Sequence, residues 1–327
     1  MREAKNAGVT FVSGSVESVA PCTSHVQVTV FEGDITSPTA RFLLTADHFV
    51  NAAGPWAGDV HDRITRSPDA SAAAFPLPLE NELHAKVIFH DSEGVIPRDA
   101  PMMISSDPVH LEWDEEMRSY LEETASAYLK DGDVARAEST SQLLRPLPAG
   151  VHYRPSSTPG YVLMLWEFVH QNVPVETPAL EDPSSYYTDL YVEMVVRGLA
   201  ATVAPGLETY VESGRFGAKT SVDGGYYTKT PDNMPLVGIV PETWRRCSVV
   251  GGLAGFGVMA ACGTAELLAA QITSSLDGRS DSGSALKRLE RAFRIDRFEA
   301  EMGNDDDEGK AEEGDIPDAF RVIGGSI

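Results

Sequence analysis

The sequence predicts a mixed α/β chain of about two domains. Three observations carry that expectation: segments that alternate apolar and polar as strands do, helical stretches set between them, and one unit at residues 247–272 that reads strand, glycine loop, long Ala-rich helix. With 327 residues, 42% of them hydrophobic and 23% charged, the chain has the composition of an ordinary globular protein and enough length for a large core.

Taken in order, the first residues read as the end of a helix, because Ala4 and Ala7 precede Gly8 and glycine suits a left-handed C-cap. Val9-Thr10-Phe11-Val12 then reads as a strand. Residues 26–31 alternate as a strand, and 41–50 continue the pattern to an apolar end at Phe49-Val50. Asn51-Ala52-Ala53-Gly54-Pro55-Trp56-Ala57-Gly58 follows directly, small residues after a buried strand, where backbone can approach a ligand. A helix is expected from there through Asp62.

The composition changes at Phe75, where Pro76 and Pro78 punctuate the chain, and a domain crossing is placed there. Residues 84–90 alternate as a strand with Lys86 on one face. Residues 115–137 form a polar helical stretch. Residues 151–154 and 161–166 read as the two strands of a hairpin in a largely antiparallel sheet, and 186–203 as a helix that covers it. After Gly224-Gly225 comes a Pro-punctuated loop over 226–232, then the apolar Leu236-Val237-Gly238 and the strand, glycine loop and helix of 247–272. A Ser/Gly linker, a short basic amphipathic helix ending near Phe298 and an acidic tail from Glu299 close the chain. The tail has the composition of a disordered segment.

A formal net charge of -23 argues against a nucleic-acid backbone or an anionic membrane surface as partner, since both require surplus Lys and Arg. Cys22, Cys247 and Cys262 are far apart and fit neither a disulfide framework nor a Cys-x-x-Cys metal pattern. No signal peptide opens the chain and no later stretch reads as long and apolar enough to cross a bilayer, so a soluble, cytoplasmic protein is expected, with peroxisome and mitochondrion still open. No G-x-S-x-G elbow, H-E-x-x-H helix or metal-spaced cluster is present, and no metal is expected.

The glycine loop is the most informative unit. Close backbone approach beside a helix N-terminus creates a field that favours negative charge. A flavin requires such a field, because hydride arriving at N5 places negative charge near N1 and the C2 carbonyl. Tight packing of helix on strand also selects glycine, so this loop alone leaves both readings open. Gly252, Gly255 and Gly257 run G-x-x-G-x-G, which differs from the G-x-G-x-x-G phosphate fingerprint, and no other segment supplies that fingerprint.

Three motifs, in order, resemble the D-amino acid oxidase superfamily of FAD-dependent oxidoreductases, sarcosine and glycine oxidases included. They are Asn51-Ala52-Ala53-Gly54-Pro55-Trp56, the stretch from Tyr227-Thr228-Lys229-Thr230-Pro231-Asp232 through Asn233-Met234-Pro235-Leu236-Val237-Gly238, and Gly251-Gly252-Leu253-Ala254-Gly255-Phe256-Gly257. Gly14-Ser15-Val16 resembles the family segment near the adenosine half of FAD, and residues 293–298 resemble a common family ending. The resemblance implies the C-terminal part of an FAD-binding three-layer domain plus a substrate domain with a large antiparallel sheet. It assigns 1–74 and 226–274 to the FAD-binding domain, 75–225 to the substrate domain, 275–298 to a C-terminal helix and 299–327 to the tail. The N-terminal dinucleotide-binding segment is expected to be lacking, which would leave the pyrophosphate poorly compensated.

The cofactor contacts so implied are Val16, Ala52, Ala53, Gly54, Trp56, Gly252, Gly255, Phe256, Gly257, Val258 and Met259. Gly225 stands where some relatives attach flavin through a Cys, so FAD is expected to be non-covalent. Phe256 and Met259 replace a frequent His and Lys. Tyr227 stands where secondary-amine oxidases carry a Tyr, which favours a secondary amine as substrate over a free amino acid. The implied reaction is hydride transfer from the carbon beside a substrate amine to flavin, with oxygen as acceptor. Lys86 and Arg154 are candidates to hold a substrate carboxylate and Tyr227 to orient the amine; a solvated charge on a strand is the plainer reading of either cation. The alternative function is a flavin-free chain acting as a non-catalytic interaction protein or inactive fragment.

Overall fold

A computed structural model describes residues 2–34, 37–64, 76–168, 170–172, 190–217, 219–240, 243, 245–277 and 284–298. The fold is mixed α/β, and the chain divides into two compact units, one built from Met1–Asn81 with Tyr227–Ile316, the other chiefly from Glu82–Tyr226. Phe75, the expected crossing, and the tail from Glu299 lie outside the described residues.

In the first unit α1 (Arg2–Asn6) ends at Gly8, whose φ of 90° gives the left-handed cap expected. Residues 9–12 form no strand; Val9, Phe11 and Val12 are about half exposed, because no described neighbour offers them a ladder. β1 (Ser15–Pro21), β2 (Val26–Asp34) and β3 (Ser37–Ala46) make an antiparallel sheet. Val19, Val26, Val28 and Val30 from it are buried. The run read as one strand to Val50 is two: Asp47 and His48 interrupt it, and β4 (Phe49–Asn51) leaves to join another sheet. A 3-10 turn at Gly54–Trp56 then leads into α2 (Ala57–Asp62).

In the second unit β5 (Glu80–His90), whose first residues belong to the first unit, pairs antiparallel with β8 (Tyr161–Trp166) and with β9 (His170–Asn172). β7 (Val151–Pro155) pairs antiparallel with β8 and with the short β6 (Met103–Ile104), and β10 (Ser221–Lys229) lies beside β5. The expected hairpin is thus β7 and β8. Alternation puts Val87, Phe89, Val162, Met164, Trp166, Val151 and Tyr153 on one buried face.

That face is covered as expected by α5 (Tyr191–Ala200), whose Tyr191, Val195 and Leu199 recur at the i, i+4 interval and are buried. Residues 186–189 of the helix read from sequence lie outside the described residues. Tyr191 donates its hydroxyl to Ala85 O at 2.9 Å, and Trp166 Nε1 donates to Pro148 O at 2.9 Å, so the largest core side chains also satisfy their polar atoms. The polar stretch 115–137 is two helices, α3 (Glu115–Lys130) and α4 (Val134–Gln142). Gly132 at φ 82° turns the chain, and Asp133 restarts a helix by accepting from Arg136 N. α6 (Glu208–Ser213) completes this unit.

The loop expected over 226–232 is strand as far as Lys229, since β10 runs until Pro231 and Asp232 break it. β11 (Leu236–Val240) pairs antiparallel with β12 (Cys247–Gly251), and β12 pairs parallel with β4. A 3-10 turn at Ala254–Phe256 opens α7 (Gly257–Asp277); α8 (Ser284–Phe293) and a 3-10 turn at Ile295–Phe298 follow. Contrary to the sequence reading, one stretch, Ala254–Ser275, is long and apolar enough to span a membrane by length and composition, because Glu266 is its only charge. Leu267 and Leu268 bury one side of α7 in a cluster with Val237 and Phe293.

Candidate functional site

The parallel pair β4 and β12 sets two similar turns side by side, both leaving the carboxyl ends of their strands. Each turn begins with a residue near the bridge region, Ala53 at φ -78°, ψ 9° and Leu253 at φ -85°, ψ 1°. Each continues with a left-handed residue, Gly54 at φ 57° and Ala254 at φ 45°. Each closes on an aromatic residue whose N–H returns to the first carbonyl, Trp56 N to Ala53 O at 3.2 Å and Phe256 N to Leu253 O at 2.9 Å. A helix then starts, so two helix N-termini lie at the carboxyl edge of one sheet, where the crevices of α/β sheets take ligands.

Asn51, 1% exposed, holds the first turn: its Nδ2 donates to Ala57 O at 2.8 Å and its Oδ1 accepts from Ala53 N at 3.2 Å. Asn81 Nδ2 donates to Pro55 O at 3.1 Å, and Thr228 Oγ1 donates to Asn81 Oδ1 at 2.7 Å. Ala52, Ala53, Gly54 and Trp56 therefore have a backbone fixed by two asparagines. Asn51 and Thr228 lie within the motifs quoted from the sequence but not among the cofactor contacts it implies, and Asn81 carries no sequence signal; a polar Asn closing an apolar strand is the signal at Asn51.

The second turn is held from below. A Cβ on Gly252, which has φ 61°, would lie 2.8 Å from Thr230 Cγ2, and one on Gly255 would lie 2.8 Å from Tyr227 Cε2. Both glycines thus serve the close packing that sequence left open as the plain reading. Gly54 and Gly257 differ: nothing lies within 4 Å of the Cβ position at either. Phe256, Val258 and Met259 are 42%, 96% and 74% exposed, an apolar surface at the first turn of α7 with no acidic residue in it. Ala254 is strained, since a non-glycine residue rarely takes φ 45°.

The remaining candidates belong to other elements. Val16, half-buried on β1, lends its carbonyl to the Arg63 guanidinium. In the second unit Lys86 and Arg154 lie on the face of the sheet opposite the core. Lys86 Nζ is 3.1 Å from Asp223 Oδ2, whereas Arg154 has no carboxylate partner among the described residues, and its Nη1 donates to Pro155 O at 3.4 Å. Among the described residues no three His, Cys, Asp or Glu side chains gather as metal ligands would.

A family model described as DAO, FAD dependent oxidoreductase, matches residues 1–271. The chain belongs to that family. Among solved structures it is similar to the iminodiacetate oxidase of Chelativorans sp. BNC1, at 14% identity and a TM-score of 0.45, over 90% of this chain and 56% of that one. It is similar also to a mutant Amadoriase I of Aspergillus fumigatus, at 15% identity and a TM-score of 0.44, over 93% of this chain and 54% of that one. The chain thus spans about half the length of these structures. The curated proteins contain no match.

FAD is the cofactor of the family. At the two turns no atom lies within 4 Å of the Cβ positions of Gly54 and Gly257, while Phe256, Val258 and Met259 present exposed apolar surface where α7 begins; these are the residues that would hold the flavin portion of FAD.

Proposed function

We propose that this chain holds FAD non-covalently at the paired β4 and β12 turns and oxidises the C–N bond of a small amine or amino acid, a secondary amine by preference, with oxygen as acceptor. The observation that carries the proposal is the parallel register of β4 and β12, which brings two turns of matching backbone and two helix N-termini to one sheet edge. Bound there, the flavin would accept hydride from the carbon beside the amine. The first N–H groups of α7 would stabilise negative charge that develops on the ring.

Arg154 is proposed to take a substrate carboxylate in preference to Lys86, because the Lys86 charge is already met by Asp223 while the Arg154 guanidinium presents its fork without a described carboxylate. Tyr227 is proposed to orient the amine. The supporting experiment is an FAD titration of the purified chain followed by desalting and an absorption spectrum, then a peroxide-coupled screen of secondary amines and amino acids. Retained flavin bands and peroxide from a secondary amine would bear the proposal out; colourless, folded protein would end it.

A second reading, a flavin-free interaction protein, is favoured by the exposure of Val258 and Met259, which is large for apolar side chains at one helix end. The same titration separates the two.

A further inference from the structure

We infer that Arg297 is a positioning residue for the glycine loop, locking the 230–234 segment so that Thr230 supports Gly252 at the entrance to α7. The inference rests on the proposed flavin site for its functional meaning, but its geometry stands within the first unit alone.

Arg297 lies in the 3-10 turn Ile295–Phe298, which is seated by the buried Ile295 and Phe298; the Cβ position of Gly238 on β11 is 3.3 Å from Ile295 Cγ1. From that seat the guanidinium, 12% exposed, reaches a residue 65 positions earlier in the sequence. Arg297 Nε donates to Asp232 Oδ2 at 2.9 Å, and Nη2 donates to Asp232 Oδ1 at 3.0 Å and to Met234 O at 3.0 Å. This is the bidentate fork that makes arginine–carboxylate pairs strong and directional.

Asp232 and Met234 pass the constraint on. Asp232 Oδ1 accepts from Met234 N at 3.1 Å, and the Thr230 hydroxyl is shared between Asp232 Oδ1 at 2.8 Å and Met234 O at 2.6 Å. The Thr230 methyl then occupies the space a side chain on Gly252 would need, at 2.8 Å. Burial raises the Asp232 carboxyl, yet the Arg297 and Thr230 hydrogen bonds outweigh it and hold it below its ordinary range, so the carboxylate is ionised at neutral pH. Without Arg297 the segment loses its outside tether and Thr230 is free to leave Gly252.

The test uses the full chain with Arg297→Ala, Asp232→Asn and the exchange pair Asp232→Arg with Arg297→Asp. Hydrogen exchange over residues 251–259 is expected to speed by about tenfold in each single variant, the size of a lost charge-assisted bond, while exchange in β7 and β8 stays as it was. The exchange pair should recover part of that protection. In the same proteins the FAD dissociation constant is expected to rise by about tenfold. Unchanged exchange over 251–259 in both single variants overturns the inference. An original chain that takes no FAD, with the exchange result intact, overturns the flavin reading and leaves the clamp standing. Slowed or unchanged FAD release in variants whose loop exchanges faster overturns the link between clamp and cofactor.

Discussion

The ring of Tyr227 lies where a side chain on Gly255 would begin: a Cβ there would be 2.8 Å from Tyr227 Cε2 and 3.1 Å from its hydroxyl oxygen. One strand residue therefore dictates glycine in a loop 28 positions later. Gly255→Ala is expected to force the ring aside at a cost of about 1–3 kcal/mol in urea unfolding. Pairing it with Tyr227→Ala should cost less than the sum of the two single changes, because the second removes the clash the first creates. Additive losses would mean the two residues do not compete for this space.

His48 sets a pH dependence. It sits just before β4, with Nε2 3.0 Å from the fully buried Ser248 Oγ on β12 and a buried Nδ1 that has no partner among the described residues. Burial, then the Arg246 charge, lowers its pKa from the ordinary 6.5, so the folded chain favours the neutral ring. The unfolded chain then binds the proton more readily. Stability from this group is therefore complete above the unfolded value and is lost as pH falls through it toward the folded value. Thermal midpoints from neutral pH to about pH 5 should fall more steeply in the original chain than in His48→Gln. Parallel curves would remove His48 from the account.

Much of this architecture was legible because it depends on local chemistry. The β7–β8 hairpin and α5 follow from periodicity, and the small residues after Phe49-Val50 and Val249-Val250 marked both turns. The break at Asp47 and His48 was not legible: the strand-like pattern of residues 41–46 runs on to the apolar Phe49-Val50, and only tertiary pairing sends β3 and β4 to different sheets. Tyr227 was assigned to a loop because Pro231 and Asp232 drew the boundary too early. That Gly54 and Ala254 share a left-handed turn was hidden by the alanine, which rarely adopts it. The Asp232–Arg297 fork joins residues whose separation no periodicity reports.

In the second unit Tyr210 closes a buried polar knot. Its hydroxyl donates to Asp91 Oδ1 at 2.6 Å and accepts from Glu93 N at 2.7 Å, and Asp91 also accepts from Val95 N and Ile96 N. Tyr210→Phe keeps the ring that packs edge-on against Phe89 but removes one hydrogen bond from the buried Asp91 carboxylate and the acceptor of Glu93 N. Urea unfolding should register a loss of about 1–3 kcal/mol. A loss under about 0.5 kcal/mol would show that water replaces the hydroxyl.

Cysteine chemistry offers a direct reading of the surface at the start of α7. Burial pushes the Cys247 thiol up to about 11, against a smaller opposing effect of the Thr243 hydrogen bond, so at neutral pH it is neither ionised nor reachable. Cys262 is exposed, one turn beyond Val258 on the same stretch of helix. A maleimide at neutral pH should therefore label Cys262 in the folded chain and Cys247 only after denaturation. Labelling of Cys247 as fast as Cys262 would mean that β12 opens readily. Adding FAD then distinguishes the two functional readings: slower labelling of Cys262 would show that a ligand held at the glycine loop shields the first turns of α7. An unchanged rate in the presence of bound FAD would place the flavin away from Val258 and Met259, and the contacts proposed for those two side chains would fall.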